Sequence, residues 1–284
     1  MKNAENNRIL KLVSLPVSYL LVFFVLPIGI MAVFSFRSGT LGAARNIFTL
    51  DNYKEFLTNT IFLGLLWRSM IISFIISIIS VLLAYPLAYF LVFRAGSYRI
   101  ILLTIIIVPT WTSYLLRVFA WKIILSSNGL LNTFLLWTGL IQEASPILMY
   151  SRDAVILTLV YVWVPFVALP IFAALGRIDL SLLEAAADLG CKQWETFFRV
   201  TLPLSMPGVV AGFFFVFIPT IGEYVTPNLV GGRSLMYGNL IQDQFAMALN
   251  WPMGSVMSMA MLVAVIVLLY LFTRFVSLSN LLGI

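Results

Sequence analysis

The chain has 284 residues, of which 62% are hydrophobic and only 10% are charged. Soluble domains are about 45–50% apolar and about 25% charged, so this composition excludes a water-soluble fold and indicates an integral membrane protein. The net charge of +6 comes from dispersed lysines and arginines, a pattern that disfavours nucleic acid and favours contact with the headgroups of membrane lipids. With no His and one Cys, Cys191, the chain has neither an internal disulfide nor a His/Cys metal site, and we expect it to bind no metal or cofactor itself.

Six apolar runs are long enough, or nearly so, to form membrane-spanning helices. The predicted spans are Leu12–Phe36, Ser69–Phe93, Ile100–Leu116, Ala154–Gly176, Val200–Gly222 and Phe245–Thr273. The third run is short, and it spans only if Arg117 and Lys122 extend to a membrane interface. The first run is too long for the apolar part of a signal peptide and has no clear cleavage site, so we predict a retained helix.

These spans divide the chain into a short N-terminus, a first helix, an outer loop, a five-helix core and a tail. The boundaries are 1–11, 12–36, 37–68, 69–275 and 276–284. Arginines in the tight turn 94–99 lie on the same side as both termini. Because short loops weigh most in the positive-inside rule, we expect both termini in the cytoplasm. Prolines interrupt most spans, which favours a transporter over an inert scaffold.

The loop between the fourth and fifth spans, 177–204, is longer than a turn requires and is predicted to form two helices. Ser181 and Glu184 fit a capping box at the start of the first helix. Gly190 suits the left-handed residue that ends it. Trp194, Phe197 and Phe198 open the second helix, which we predict to stop before Pro203. On this pattern alone, a hairpin that packs on its own helices is an equal alternative.

The longer spacing in this loop is more specific. Glu184-Ala185-Ala186 is followed after three residues by Gly190, and after nine more by Val200-Thr-Leu202-Pro203. This pattern resembles the "EAA" loop of permease subunits in binding-protein-dependent (type I) ABC importers, with Val200 where that family usually has Ile.

The resemblance implies an all-α membrane permease of six transmembrane helices, with a cytoplasmic coupling helix between the fourth and fifth. In that family this helix lies in a groove of the ATPase, which would place Glu184, Ala185, Ala186, Gly190, Leu202 and Pro203 at the contact. The chain has no G-x-x-x-x-G-K-[ST] phosphate loop. The resemblance therefore implies a non-catalytic subunit of the bacterial cytoplasmic membrane, with ATP and Mg on an ATPase dimer. Its further partners would be a second homologous permease subunit and an extracytoplasmic substrate-binding protein.

A second stretch bears on the cargo. The segments 217–232, 238–245 and 250–252 resemble permeases of spermidine/putrescine importers, the first permease of the pair in particular, although iron, sulfate and opine importers share the design. A polyamine path needs carboxylates and aromatic faces, and the candidates are Glu223, Tyr224, Asp243 and Trp251. The alternative for Glu223 is a helix-end carboxylate paired with a cation such as Arg117 or Arg233, and for Asp243 a plain loop acid.

Two other function classes, an ion-coupled secondary transporter and an intramembrane enzyme, fit the sequence less well. An ion-coupled secondary transporter would use membrane-embedded acids and would have no need of the long loop. An intramembrane enzyme would need a nucleophile with its base or a metal-ligand set, and the residues for neither are evident in this sequence.

Overall fold

The computed structural model describes residues 13–14, 16–39, 47–143, 149–232 and 236–275, and in these ranges the chain is helical. Its only β pairing there is an isolated bridge between Arg37 and Phe48. The main helices, in chain order, are α1 Pro16–Ser35, α2 Asp51–Thr58, α3 Thr60–Phe93, α4 Gly96–Trp111, α5 Tyr114–Leu125, α6 Leu130–Trp137, α7 Arg152–Leu175, α8 Leu180–Asp188, α9 Gln193–Ile221, α10 Tyr237–Ala246 and α11 Trp251–Phe275, and a single π-helical turn, Pro227–Gly231, lies between α9 and α10.

Five of these helices, namely α1, α3, α7, α9 and α11, are long and apolar enough to cross a membrane. The third predicted span, Ile100–Leu116, is not straight. It corresponds to α4 and the segment Tyr114–Trp137, which meet at a bend of 89°. Pro109 has no backbone N–H to continue the helix, and Thr112 and Ser113 adopt extended ψ angles of 154° and 133° before α5 begins.

The ends of two spans differ from the sequence prediction. Helix α3 begins at Thr60, well before the predicted Ser69, because the helix continues through the exposed Arg68. The last span was predicted from Phe245, but Phe245 belongs to α10 and α11 begins only at Trp251. Leu249 has a positive φ of 49°, and Asn250 Oδ1 accepts from the Met253 N–H at 3.2 Å, so the chain turns and a new helix is capped there.

The first of two compact units comprises Met1–Leu63 and Ile241–Ala264. Within it, the Ser35 and Tyr53 hydroxyls are 2.7 Å apart, and Asn52 donates to the Arg37 carbonyl at 2.7 Å. The ring of Trp251 packs against Phe34 and Phe245. In α1 the apolar side chains are largely exposed along the helix.

The second unit comprises Gly64–Leu240 and Val265–Ile284, and its centre is the packing of α7 against α9. Gly208 and Gly212 make this approach close. A Cβ on Gly208 would lie 2.5 Å from Ala174 Cβ, and one on Gly212 would lie 3.0 Å from Val167 Cγ1. Small residues four apart allow two helix backbones to touch, as is common between helices in membranes. This pair supports the loop 177–204, which connects its two helices.

Candidate coupling and transport sites

Helix α8 carries the Glu-Ala-Ala sequence, and its N-terminus is capped by Asp179. The Ser181 N–H donates to Asp179 Oδ1 at 3.0 Å, and this bond holds the pKa of Asp179 below its ordinary value. The predicted capping box at Ser181 is therefore wrong, because Ser181 already lies inside the helix, which starts at Leu180. A carboxylate is the better cap here, since it accepts the amide hydrogen and also favours the positive end of the helix dipole.

The other end of α8 is closed as predicted. Gly190 has φ +84°, the left-handed conformation expected of it. Its N–H donates to Ala187 O at 2.9 Å, and the Cys191 N–H donates to Ala186 O at 3.0 Å. These two bonds are the Schellman arrangement, which satisfies the last carbonyls of a helix. Apart from its neighbours in the chain, no described atom lies within 4 Å of a Cβ built on Gly190, so nothing in the described part of the chain covers it.

The outward side of the loop is uncovered. Ala186 faces the chain and is buried, whereas Glu184 and Ala185 are exposed. Large apolar side chains are also exposed, with Leu189 85% and Trp194 61% accessible. A hairpin that packed only on its own helices would bury these side chains. The described part of the chain thus leaves an apolar, short-side-chain face open on one side of α8.

The second helix of the loop does not stop before Pro203, as the sequence predicted. It begins at Gln193, where the Glu195 carboxylate accepts from the Lys192 N–H at 2.8 Å, and it continues without a break to Ile221. Pro203 is accommodated by a π-turn, Phe197–Thr201, in which the Leu202 N–H donates to Phe197 O. The π-turn changes the hydrogen-bond pattern from i→i−4 to i→i−5. The backbone bond that Pro203 cannot donate therefore lies next to a turn in which the regular α-helical bonds are already absent. Leu202 is half-buried in this arrangement and Pro203 is exposed.

Three aromatic residues that the sequence did not single out as a group join this helix to α3. The Phe197 ring packs edge-on against Tyr85 at 5.6 Å and against Tyr89 at 6.0 Å between ring centroids. The Tyr85 hydroxyl lies 2.8 Å from Ser205 Oγ, and both residues are buried. Tyr85 and Phe197 are more than a hundred positions apart in the chain, so no local pattern could have indicated the contact.

Glu223 follows α9 directly and caps the next turn of the chain. Its Oε1 accepts from the N–H groups of Val225 at 2.9 Å and Thr226 at 3.0 Å. The carboxylate is thus held by backbone amides, and neither ion pair found among the described residues includes it. The alternative in which Glu223 pairs with Arg117 is not formed as a salt bridge, and Arg233 lies outside the described residues. Tyr224, next in the chain, is 43% exposed.

A polar group of α5 lies beside Glu223. The Tyr114 hydroxyl is 2.6 Å from Thr226 Oγ1, and the N–H of the same Thr226 donates to the Glu223 carboxylate at 3.0 Å. One turn along α5, Arg117 donates to the Val162 carbonyl at 3.5 Å, while its buried Nε has no hydrogen-bond partner among the described residues. Sequence reasoning did not identify Tyr114, because a lone tyrosine in a span is ordinarily assigned to the membrane interface.

Asn239 fixes the chain that follows Glu223. Its Oδ1 accepts from the Met236 N–H at 2.9 Å, and its Nδ2 donates to Tyr224 O at 2.9 Å and to Asn228 Oδ1 at 2.7 Å. Asn239 is 1% exposed. The carboxamide therefore holds the backbone of Tyr224 against the start of α10.

The other two candidate path residues belong to the first compact unit. Asp243 lies on α10 and is half-buried, so the prediction that it sits in a loop is wrong. Trp251 begins α11 and packs against Phe245 at 5.6 Å and Phe34 at 6.4 Å between ring centroids. Among the described residues no three His, Cys, Asp or Glu side chains converge in a way that could hold a metal ion.

Comparison with known proteins gives this geometry a context. The family model described as "Binding-protein-dependent transport system inner membrane component" matches residues 3–280. The spermidine/putrescine transport system permease protein PotB of Haemophilus influenzae is 37% identical over 279 residues, covering 97% of this chain and 96% of that protein. PotB of Escherichia coli is 36% identical over 267 residues, covering 93% and 96%.

The fold has a counterpart among solved structures. A bacterial ABC transporter that imports the acidic polysaccharide alginate superposes with a TM-score of 0.73 at 17% identity, over 97% of this chain and 98% of that one. A second structure of a bacterial alginate ABC transporter, in complex with a periplasmic protein bound to an alginate pentasaccharide, gives a TM-score of 0.71. The family match spans almost the whole sequence, and the all-helical membrane fold agrees with it. The chain therefore belongs to the family of binding-protein-dependent transport system inner membrane components, and is the permease subunit of an ABC importer.

Proposed function

We propose that this permease takes its driving force from a separate ATPase dimer that binds loop 177–204 on the cytoplasmic side. A second permease subunit would complete the translocation path, and an extracytoplasmic binding protein would deliver the cargo. Both termini would then face the cytoplasm, and ATP and Mg would be bound by the ATPase. The orientation draws support from the arginines in the 94–99 turn.

The uncovered face of α8 is the observation that carries the docking proposal. Ala185 and Gly190 offer no long side chain, so a groove in a partner could approach the backbone closely. Around them, Leu182 and Leu189 are 47% and 85% exposed and supply apolar area for a protein contact. Exposed large apolar residues outside the membrane spans ordinarily mark such an interface. Glu184 is exposed and free to pair with a cation of the partner.

The docking proposal predicts the effect of bulk at Ala185. Ala185→Trp adds a large ring to an exposed helical position without straining the backbone. We expect the ATPase to bind about tenfold more weakly or worse, because overpacking a close contact costs about 1–3 kcal/mol. The measurement is the amount of ATPase that copurifies with the permease, together with stimulation of ATP hydrolysis by the loaded binding protein.

Ala120→Trp provides the matched control, since Ala120 is also exposed and helical but lies on α5, away from the loop. This variant should retain the ATPase as the wild type does. Undiminished copurification and stimulation in Ala185→Trp would contradict docking at α8.

For the cargo, we propose a polyamine such as spermidine or putrescine. The relatives named for spermidine/putrescine transport match nearly the full length of the chain. Glu223 and Tyr114 both contact Thr226, and Tyr224 follows Glu223 in the chain, so a carboxylate and two tyrosines lie in one short region, a combination that suits an amine on a methylene stem. Asp243 and Trp251 are proposed as further contacts along the path. Iron, sulfate and opines are the alternative cargoes.

Glu223→Gln tests the cargo proposal with little disturbance of the fold. A Gln side-chain oxygen can still accept the Val225 and Thr226 amides, so only the negative charge is lost. We expect uptake of spermidine to fall about tenfold, because a hydrogen bond to a charged group contributes about 1.5–3 kcal/mol. Uptake is measured in proteoliposomes that contain the complete transporter and its binding protein.

Glu55→Gln is the control, since Glu55 is an exposed acid on α2, and it should leave uptake unchanged. Equal uptake by Glu223→Gln and wild type would remove Glu223 from the path. Stimulation of the wild-type ATPase by binding protein loaded with sulfate or iron, but not with polyamine, would overturn the cargo proposal itself.

A further inference from the structure

Helix α9 connects the loop to the interior of the permease as one continuous element of 29 residues, Gln193–Ile221. Its hydrogen-bond ladder is weakest at one level. The π-turn Phe197–Thr201 widens the helix, and Pro203 and Pro207 each lack the N–H that would bond one turn back. Such interruptions are where helices bend. A force applied at Gln193 would therefore be absorbed at the π-turn unless something holds the two sides of the turn together.

Tyr85 of α3 makes that connection. Its ring packs on Phe197, at the first residue of the π-turn, with 5.6 Å between ring centroids. Its hydroxyl bonds Ser205 Oγ at 2.8 Å, on the far side of the turn. Ser205 Oγ also donates to Leu202 O at 3.0 Å, which ties the bond to the helix backbone just after the turn. One side chain of α3 thus bridges the flexible part of α9.

Tyr85 lies in a packed aromatic cluster and next to a proline that weakens the hydrogen-bond ladder of α3. Tyr89, one turn along α3, packs on the same Phe197 ring at 6.0 Å and on Phe93 at 4.8 Å. Pro86, beside Tyr85, removes a hydrogen bond from α3 itself. Both helices therefore have a bending point at the level where Tyr85 joins them, so a change of angle in one is passed to the other.

We propose that Tyr85, Phe197 and Ser205 form a transmission joint that carries movement of the ATPase-contacting loop into α3 and α9 during transport. The joint rests on the proposed docking of the loop to an ATPase. Tyr85 and Ser205 act as positioning residues, since they fix the angle across the π-turn and need not touch cargo or nucleotide. The Phe197 ring supplies the contact through which α3 and α9 turn together.

The test separates coupling from assembly. Tyr85→Phe keeps the ring and deletes only the hydroxyl, and Ser205→Ala deletes the other half of the bond. In proteoliposomes with the partner permease, ATPase and binding protein, each variant should raise the ATP consumed per molecule of cargo transported about two- to tenfold, the range that one net hydrogen bond corresponds to. ATPase copurification should stay at the wild-type level. The double variant should be no worse than either single one, because both remove the same bond.

Tyr53→Phe is the matched control, since Tyr53 makes the same kind of hydroxyl contact with Ser35 at 2.7 Å in the first unit. It should leave the ratio of ATP to cargo unchanged. For the ring contact, Phe197→Leu should raise the ratio of ATP to cargo, whereas Phe197→Tyr, which keeps an aromatic ring, should leave that ratio at the wild-type value. A ratio equal to wild type in both Tyr85→Phe and Ser205→Ala would overturn the joint. If instead the wild-type chain retained no ATPase, the docking proposal would fail first, and the two failures are thereby distinguishable.

Discussion

At the scale of single residues, the segment after α9 depends on one buried carboxamide. Asn239 accepts from the Met236 N–H and donates to the Tyr224 carbonyl, which also accepts from the Asn228 N–H at 3.2 Å. A buried amide hydrogen or carbonyl without a partner costs about 1–3 kcal/mol. The position of Tyr224 beside Glu223 therefore depends on a residue outside both candidate sites.

Asn239→Leu should destabilise the folded permease by about 1–3 kcal/mol, because leucine fills a similar volume but leaves the Met236 N–H without its acceptor and the Tyr224 carbonyl without one of its two donors. The measurement is denaturant-induced unfolding of the purified chain in detergent. Asn128→Leu, at an exposed position, should change the unfolding free energy by less than about 0.5 kcal/mol. Similar stabilities for the two variants would contradict the assigned role of Asn239.

Residue-scale predictions from the sequence succeeded where a local rule had one solution. Gly190 was assigned a left-handed conformation from its position after an alanine-rich helix, and its φ is +84°. The N-cap was misplaced by two residues, because Asp179 and Ser181 are both good caps and the choice depends on where the chain leaves α7. Tyr85, Tyr114 and Asn239 could not be found, since each acts through a partner distant in sequence.

At the scale of elements, hydrophobic runs located the spans, and backbone chemistry explains the deviations. Proline was expected to end the second helix of the loop, but the π-turn absorbs Pro203 and lets α9 continue. The same residue type, Pro109, coincides with a break of 89° in the third span. The difference lies in the neighbouring backbone, which stays helical around Pro203 and becomes extended at Thr112. A hydropathy pattern does not contain this information.

The close contact between α7 and α9 depends on the missing side chain of Gly208. Gly208→Ala should destabilise the permease by about 1–3 kcal/mol, because the new methyl group would lie 2.5 Å from the Pro170 carbonyl oxygen and from Ala174 Cβ. Thermal unfolding monitored by circular dichroism is the measurement.

Gly64→Ala is the control, since beyond its own helix turn no described atom lies within 4 Å of a Cβ at that position. It should be neutral or stabilise the fold by up to about 1 kcal/mol, because alanine loses less backbone entropy than glycine in a helix. A Gly208→Ala variant as stable as wild type would show that α7 and α9 can separate freely.

At the scale of the whole molecule, the orientation in the membrane is the prediction on which the docking proposal depends. Cys191 is the only cysteine of the chain, and it is a free thiol of intermediate exposure next to Gly190. A membrane-impermeant maleimide should label it from the cytoplasmic side alone, in inside-out vesicles and not in intact cells. Cys191→Ser combined with Leu140→Cys should show the reverse pattern, since Leu140 is 71% exposed and lies between the third and fourth predicted spans, on the side opposite the termini. Labelling of Cys191 in intact cells would place loop 177–204 on the wrong side for an ATPase.

The unbroken course of α9 has a geometric consequence. From Phe197 to Ile221 the helix rises about 36 Å, so a tilt of about 5° at the π-turn would move its far end by about 3 Å. Ile221 is followed within two residues by Glu223, whose carboxylate holds the next turn through two amide hydrogens. A small tilt of α9 at the π-turn would therefore leave the packing near the loop intact. At the far end of the helix, the same tilt would displace the Glu223 carboxylate by about the diameter of a water molecule.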